Sequence, residues 1–278
     1  MLAGVAQIDI TPEGSVWMDG MIRSHRSEGV QDPLYARALC LAPDPDPQSA
    51  CVLAALDLIG LSEQDAAAVR RGVEKAIGVP QDRIILAASH THSGPATIGY
   101  FNPQETEYTS GLLPRLIALI ERAASTMEPA AAGCASGRED TISRYRRLLA
   151  RDGRVVMNWE PYPAEGIVGP LGPIDAELGV LRVASAREAG RSLGIAFNHA
   201  GHPNVLSGDN YRISADYPGL ASRLVAERFG CPALFLNGAQ GTMDIDGLRD
   251  RDWQGVQRIG TALAAAVTEV ASRVALSP

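Results

Sequence analysis

Cysteine is scarce, with four in 278 residues, Cys40, Cys51, Cys134 and Cys231. None stands in a CxxC pair, and most sit in aliphatic settings such as RALCL and SACVLAAL. They read as buried, reduced thiols rather than as metal ligands or a catalytic nucleophile. Aromatics make up 5% of the chain, which argues against a large stacking platform for sugars or bases. Basic charge is outnumbered, 25 residues against 32 acidic ones for a net charge of -7, and is scattered. No electrostatic footprint for a nucleic-acid backbone is present. No run reaches the ~18 apolar residues of a membrane span. The N-terminus, MLAGVAQID, lacks the basic and apolar regions of a leader. A cytoplasmic protein without a membrane span is the expectation.

What the chain does have is a globular composition, 46% hydrophobic and 21% charged. Its length can bury a core as one domain, 1–278. Strand-like apolar runs recur at 36–42, 51–60, 83–89, 177–184, 192–200 and 232–238. Several lead into helical patterns. SEQDAAAVRRGVEKAIG opens on Ser62 as N-cap and stops at Gly78 with Pro80 beyond. GLLPRLIALIERAASTM, YPGLASRLVAERFG and the terminal WQGVQRIGTALAAAVTEVASRVA carry the same signature. This alternation predicts an α/β fold, a layered mixed sheet covered by helices. From about 136 to 175 the pattern becomes irregular, with a hairpin around Asp152-Gly153, and reads as a cover segment within the domain.

Ligands of open α/β sheets bind beyond the carboxyl ends of the strands. Polar residues that end apolar runs are therefore candidates. Asp57 ends VLAALD, and His90 and His92 follow RIILAAS. His199 and His202 follow LGIAFN, while Asn237, Gln240, Asp244 and Asp246 follow PALFL. Four of the five histidines thus form two pairs, each just past a strand. Neutral imidazoles and carboxylates converging from separate segments suit a borderline cation such as zinc. In an extended His-x-His both rings project to one side, so both can serve one site. The fifth, His25, sits in the polar IRSHRSEG and reads as a loop histidine.

DNYRISADYPG brings Asp209, Arg212, Asp216 and Tyr217 to the start of a helix, where Asp216 is either a cap or a catalytic group. NGAQGTMDIDG is polar and glycine-rich after a strand, but it lacks a Walker lysine and GxGxxG spacing. No GxSxG elbow exists. Phosphate-binding and serine-hydrolase readings fall away.

Taken together, GVAQIDITP, DPLYARAL, SHTHSGPA, GPIDAELGVLRV, AGHPNVLSGDNYRISADYPG and LFLNGAQGTMD resemble, in order, the amino-terminal catalytic domain of the neutral/alkaline non-lysosomal ceramidase family. The resemblance runs from residue 4 to about residue 265. It implies an α/β domain with one catalytic zinc that hydrolyses an amide. It also implies that His90 and His202 are ligands, that His92 lies beside the site, and that Arg144 is the counterpart of a substrate-facing arginine. Three departures stand out. Asp244 occupies the place of the family's serine nucleophile. The family's glutamate and tyrosine ligands come from a later part of the domain than this chain contains, and its immunoglobulin-like domain is absent. These departures weaken ceramide as the expected substrate.

The expected mechanism is hydrolysis of a small or medium amide, cyclic ones included, by a zinc-activated water. His90 and His202 are the primary ligands, with Asp57, Asp216, Asp244, His92 and His199 as further donors, enough for one ion and for a second. Asp244 or Asp216 accepts the proton, and Arg144 or His92 stabilises the oxyanion. The alternatives are an esterase or lactonase using the same site, and a non-catalytic metal- or ligand-binding relative. A homo-oligomer is expected from apolar surface that the absent family segments would otherwise cover.

Overall fold

The aliphatic runs become strands of one eight-stranded mixed sheet in the computed structural model, which describes residues 1–245 and 251–277. Asp246 lies outside the described residues. The strands are β1 (Leu2–Asp9), β2 (Tyr35–Ala42), β3 (Cys51–Leu56) and β4 (Ile84–Ala88), then β5 (Glu128–Arg138), β6 (Glu177–Ser185), β7 (Ser192–His199) and β8 (Ala233–Asn237). Their order is β8-β7-β6-β5-β1-β2-β3-β4. Only the terminal pairs, β3 with β4 and β7 with β8, run parallel.

The centre of this sheet is narrow, because β1 and β5 pair only through Leu2 with Pro129 and Ala3 with Glu128. The two halves fold over this joint and face each other. Their shared inner layer contains Ala3, Leu39 and Ala55 from one half and Val183, Ala196 and Leu234 from the other, with Ala130 near the joint. Small residues let the halves approach closely. Helices α1 (Glu63–Ile77) and α2 (Thr106–Ser125) cover the outer face of the β1–β4 half. Helices α3 (Asp216–Phe229) and α4 (Trp253–Arg273) cover the other. Strands buried on both faces explain why CVLAAL shows no polar alternation.

Local chemistry accounts for the helices. Ser62 Oγ accepts from Asp65 N at 3.1 Å and donates to its carboxylate at 2.6 Å, and Gly78 closes α1 in the left-handed conformation. In α4 the buried Val256, Ile259, Leu263, Val267 and Val270 recur three and four residues apart, one stripe facing the sheet.

Two strands escape sequence patterning, β1 and β5. The latter reads EPAAAGCASGR, poor in β-branched and aromatic residues. Its Gly133 is demanded by packing, since a Cβ there would lie 2.0 Å from the Ala275 carbonyl oxygen. The cover segment expected from 136 therefore begins later, because residues 136–138 finish β5. It folds as a three-stranded sheet of Arg147–Ala150, Val155–Met157 and Ile167–Pro170. Among the described residues, no helix is long and apolar enough to cross a membrane.

Candidate functional site

The carboxyl ends of β4 and β7 meet where the two halves of the sheet close over each other. Asn237, at the end of β8, ties them together: its Nδ2 donates to Ser89 O at 2.8 Å, and its Oδ1 lies 3.4 Å from Gly201 N. The chain leaves β4 through His90, which has φ 72°, an uncommon conformation for a residue with a side chain. His92 N then donates to Pro203 O at 3.1 Å, locking the two histidine loops together. The Arg23 guanidinium holds the same loop, donating to His92 O at 2.9 Å and to Asn210 O at 2.9 Å. Burial lowers the Arg23 pKa to about 10.

This arrangement brings His90, His92 and His202 together, with one nitrogen of each within 4.8 Å of the others. The rings stand edge to face, at 73° for His90 with His92, 84° for His90 with His202 and 81° for His92 with His202. His92 Nε2 and His202 Nε2 are 3.0 Å apart. His90 Nδ1 is 2.9 Å from Ile59 O, and His202 Nδ1 is 3.5 Å from Gln240 O. A main-chain carbonyl accepting from Nδ1–H keeps the proton on Nδ1 and leaves Nε2 with its lone pair free to bind a metal. His92 Nδ1 is buried without a partner among the described residues. Burial first, and then the neighbouring histidines, hold His92 well below its ordinary pKa. Burial, followed by His90, lowers His202 to about 3. Neutral imidazoles are the form that binds metal.

The His92 and His202 rings form part of the wall of a cavity of about 610 Å³. Met21, Phe101 and Trp159 give it apolar sides, and Arg146, Asn204 and Arg251 add polar ones. Gly20 stands behind His92 with φ +92°, and a Cβ there would lie 2.4 Å from His92 Cγ.

Of the residues singled out in the sequence, His90, His92 and His202 converge and the others do not. Asp57 is not at the cluster. Its carboxylate pairs with Arg37 Nη1 at 3.1 Å, both side chains being at most 4% exposed, and accepts from Tyr35 N at 2.9 Å. His199 is fully buried beside Ser143 Oγ and Glu177 O, at 3.5 and 3.4 Å, outside the donor cluster. Asp216 is fully buried and accepts from Leu206 N and Tyr217 N, so the proton-accepting role expected of it has no access to the cavity. Asp244 is likewise fully buried, behind the cavity wall, where it receives Arg251 Nη2 at 3.2 Å. Arg144 is exposed and spends Nη1 on the carbonyls of Asp140, Thr141 and Ser143, whereas Arg146 faces the cavity. Arg146 and Arg251 were not foreseen. For Arg146 the run RYRR was the available signal, and it does not distinguish Arg146 from Arg144 or Arg147.

Comparison with known proteins bears on the family and on the fold. The family model described as neutral/alkaline non-lysosomal ceramidase, N-terminal, matches residues 1–232. The fold is similar to the crystal structure of neutral ceramidase from Pseudomonas aeruginosa, with a TM-score of 0.79 at 23% identity over 98% of this chain and 45% of that one. It is also similar to a ceramidase complexed with C2, with a TM-score of 0.80 at 24% identity over 98% of this chain and 44% of that one. The chain thus spans less than half the length of either structure. With the family model covering most of its residues, this chain belongs to the neutral/alkaline non-lysosomal ceramidase family.

Proposed function

We propose that this chain is a metal-dependent amidohydrolase in which His90, His92 and His202 hold one zinc ion at the cavity. The observation that carries this reading is the convergence of three imidazoles from two loops, with one nitrogen of each within 4.8 Å of the others. Imidazole nitrogen is a donor that suits zinc. Two nitrogens bound tetrahedrally at ~2.0–2.1 Å lie about 3.3 Å apart. The 3.0 Å between His92 and His202 Nε2 is close to that spacing. The carbonyl at His90 Nδ1 supports the fit, because an anchored Nδ1 fixes the tautomer a ligand needs. His92 thereby moves from a position beside the site to a third ligand, and it replaces Asp57 and His199.

A zinc ion there, when bound, supplies Lewis-acid polarisation of a carbonyl and lowers the pKa of a water toward neutrality. The remaining work falls to the chain. Arg251 is held by Asp244 at 3.2 Å and by Asn204 O at 2.8 Å, so its guanidinium is fixed at the cavity wall. There it stabilises negative charge as the substrate carbonyl becomes tetrahedral, the role first expected of Arg144. Asp244, in the position of the family's serine, is a positioning residue for Arg251. Met21, Phe101 and Trp159 shield the reacting bond from bulk water and accept an apolar group.

Family membership supports an amide as the bond cleaved, and the volume of about 610 Å³ suits a small or medium one. The test combines metal analysis by mass spectrometry with hydrolysis of matched amides, esters and lactones. One zinc per chain, lost in His90→Ala and His202→Ala, with chelator-sensitive amide cleavage, is the expected result. Undiminished zinc in both variants ends the proposal. Metal retention without any hydrolysis would make the chain a binding protein, and faster ester than amide cleavage would make it an esterase.

A further inference from the structure

Among the described residues, Arg146 is the charged side chain at the cavity that the proposed reaction leaves unused. Its backbone is pinned, N to Thr242 O at 3.0 Å and O to Asn158 N at 2.8 Å. Its guanidinium carbon stands 5.6 Å from the centre of the Trp159 ring, so the indole backs one side of the group. Its Nε is buried with no hydrogen-bond partner, and among the described residues no carboxylate pairs with it.

The neighbouring arginines differ. Arg23 donates to the carbonyls of Asp19, His92, Ser207 and Asn210, and Arg251 is paired with Asp244. A half-buried cation with no anion is costly, and a ligand that brings the anion removes the cost. Burial lowers the pKa of Arg146 and Arg147 adds to the shift, while the more distant charge of Asp244, which makes no direct pair with it, offsets only part.

We propose that Arg146 is the receptor for a carboxylate carried by the substrate, so that the preferred substrate is an amide bearing both an apolar group and a carboxylate. This rests on the hydrolase reading of the same site and specifies its substrate class. The planar guanidinium fork matches a carboxylate in two parallel hydrogen bonds. Met21, Phe101 and Trp159 form the apolar part of the same cavity. An N-acyl amino acid has this combination of groups, and a neutral amide lacks the carboxylate.

The test is a binding measurement on the chelator-treated chain, so that a carboxylate cannot gain affinity by coordinating metal. N-octanoylglycine and the neutral N-octanoylglycinamide are titrated calorimetrically. The acid should bind on the order of tenfold tighter, the smallest ratio expected of a charge-assisted hydrogen bond. Arg146→Gln should bring the two ligands to about equal affinity, and Arg146→Lys should retain part of the difference by keeping the charge without the fork. Equal affinity in the unsubstituted chain, failure of either ligand to bind, or a preference that survives Arg146→Gln would overturn the proposal. Equal affinity in the unsubstituted chain overturns the proposal even if a variant fails to fold. Hydrolysis is measured separately on zinc-loaded chain. Arg146-dependent binding without cleavage leaves the carboxylate site standing and removes the hydrolase reading, whereas cleavage with no preference for the acid does the reverse.

Discussion

Replacing Asp57 by asparagine separates a structural aspartate from a metal ligand. The native carboxylate faces Arg37 Nη1 at 3.1 Å, and the two side chains are 3% and 4% exposed. Removing one partner of a buried pair leaves the other charge uncompensated, at a cost of about 3–5 kcal/mol. Two contacts moderate this. Arg37 Nε still donates to Gln7 Oε1 at 3.0 Å, and an asparagine oxygen can still accept from Tyr35 N. The expected loss is therefore near the low end, about 3 kcal/mol, read as a shift of the urea midpoint at unchanged slope. Zinc content per folded chain should not change. Replacing both partners, Arg37→Met with Asp57→Leu, should recover most of the loss, because an apolar pair leaves no buried charge. A loss below about 1 kcal/mol, within the range of an exposed ion pair, would refute the burial argument. Loss of zinc at retained stability would return Asp57 to the ligand set.

Chelation should lower the melting temperature, since an ion held at about 100 times its dissociation constant contributes about 2.7 kcal/mol; calorimetry with and without chelator reads it, and an unchanged melting temperature contradicts a bound ion. Gly20→Ala should weaken zinc binding while the fold persists, because its Cβ would fall 2.4 Å from His92 Cγ and the glycine has φ +92°; competition with a chromogenic chelator measures it, and unchanged affinity counts against His92 as a ligand. Burial raises Asp216 from 3.8 to about 7 and Asp32 from 3.8 to about 6. Between about pH 4 and 7 the folded state thus binds more protons than the unfolded state, so these groups lower stability as pH rises through that window. Asp216→Asn should flatten the difference between denaturation midpoints at the two ends of that window, and an unchanged slope would refute the assignment.

The histidine cluster was legible because polar residues that end strands in α/β sheets gather at one rim, and His90, His92 and His202 all follow aliphatic runs. The same rule misplaced Asp57 and His199. Strand-end logic sees one segment at a time, whereas the partner of Asp57 is Arg37, on a neighbouring strand inside YARALCLA. An arginine in so apolar a run needs a buried counterion, a signal present in the sequence and unused. Arg144 and Arg146 are two residues apart, and only the path of the cover segment decides which faces the cavity. Six of the eight strands were predicted from apolar runs; β1 was missed, and β5 was invisible because alanine, glycine and serine fill a strand crossed closely by the end of α4.

That hidden strand bears on the chemistry. His92 and His202 are 110 residues apart and belong to opposite halves of the sheet. They meet only because the halves fold over the narrow β1–β5 joint and bring β8 against β3 and β4. The joint tolerates that fold because the facing residues are small, Ala3 and Ala130 among them. A larger side chain at either position would wedge the layers apart at a cost of about 1–3 kcal/mol for overpacking. The same wedge would strain the bond from Asn237 to Ser89 that ties the two histidine loops together. Alanine at the joint and histidine at the strand ends are therefore parts of one arrangement. Ala130→Leu should reduce zinc affinity although no atom of residue 130 belongs to the centre, and an unchanged affinity at reduced stability would show that the loops hold their geometry independently of the layers beneath them.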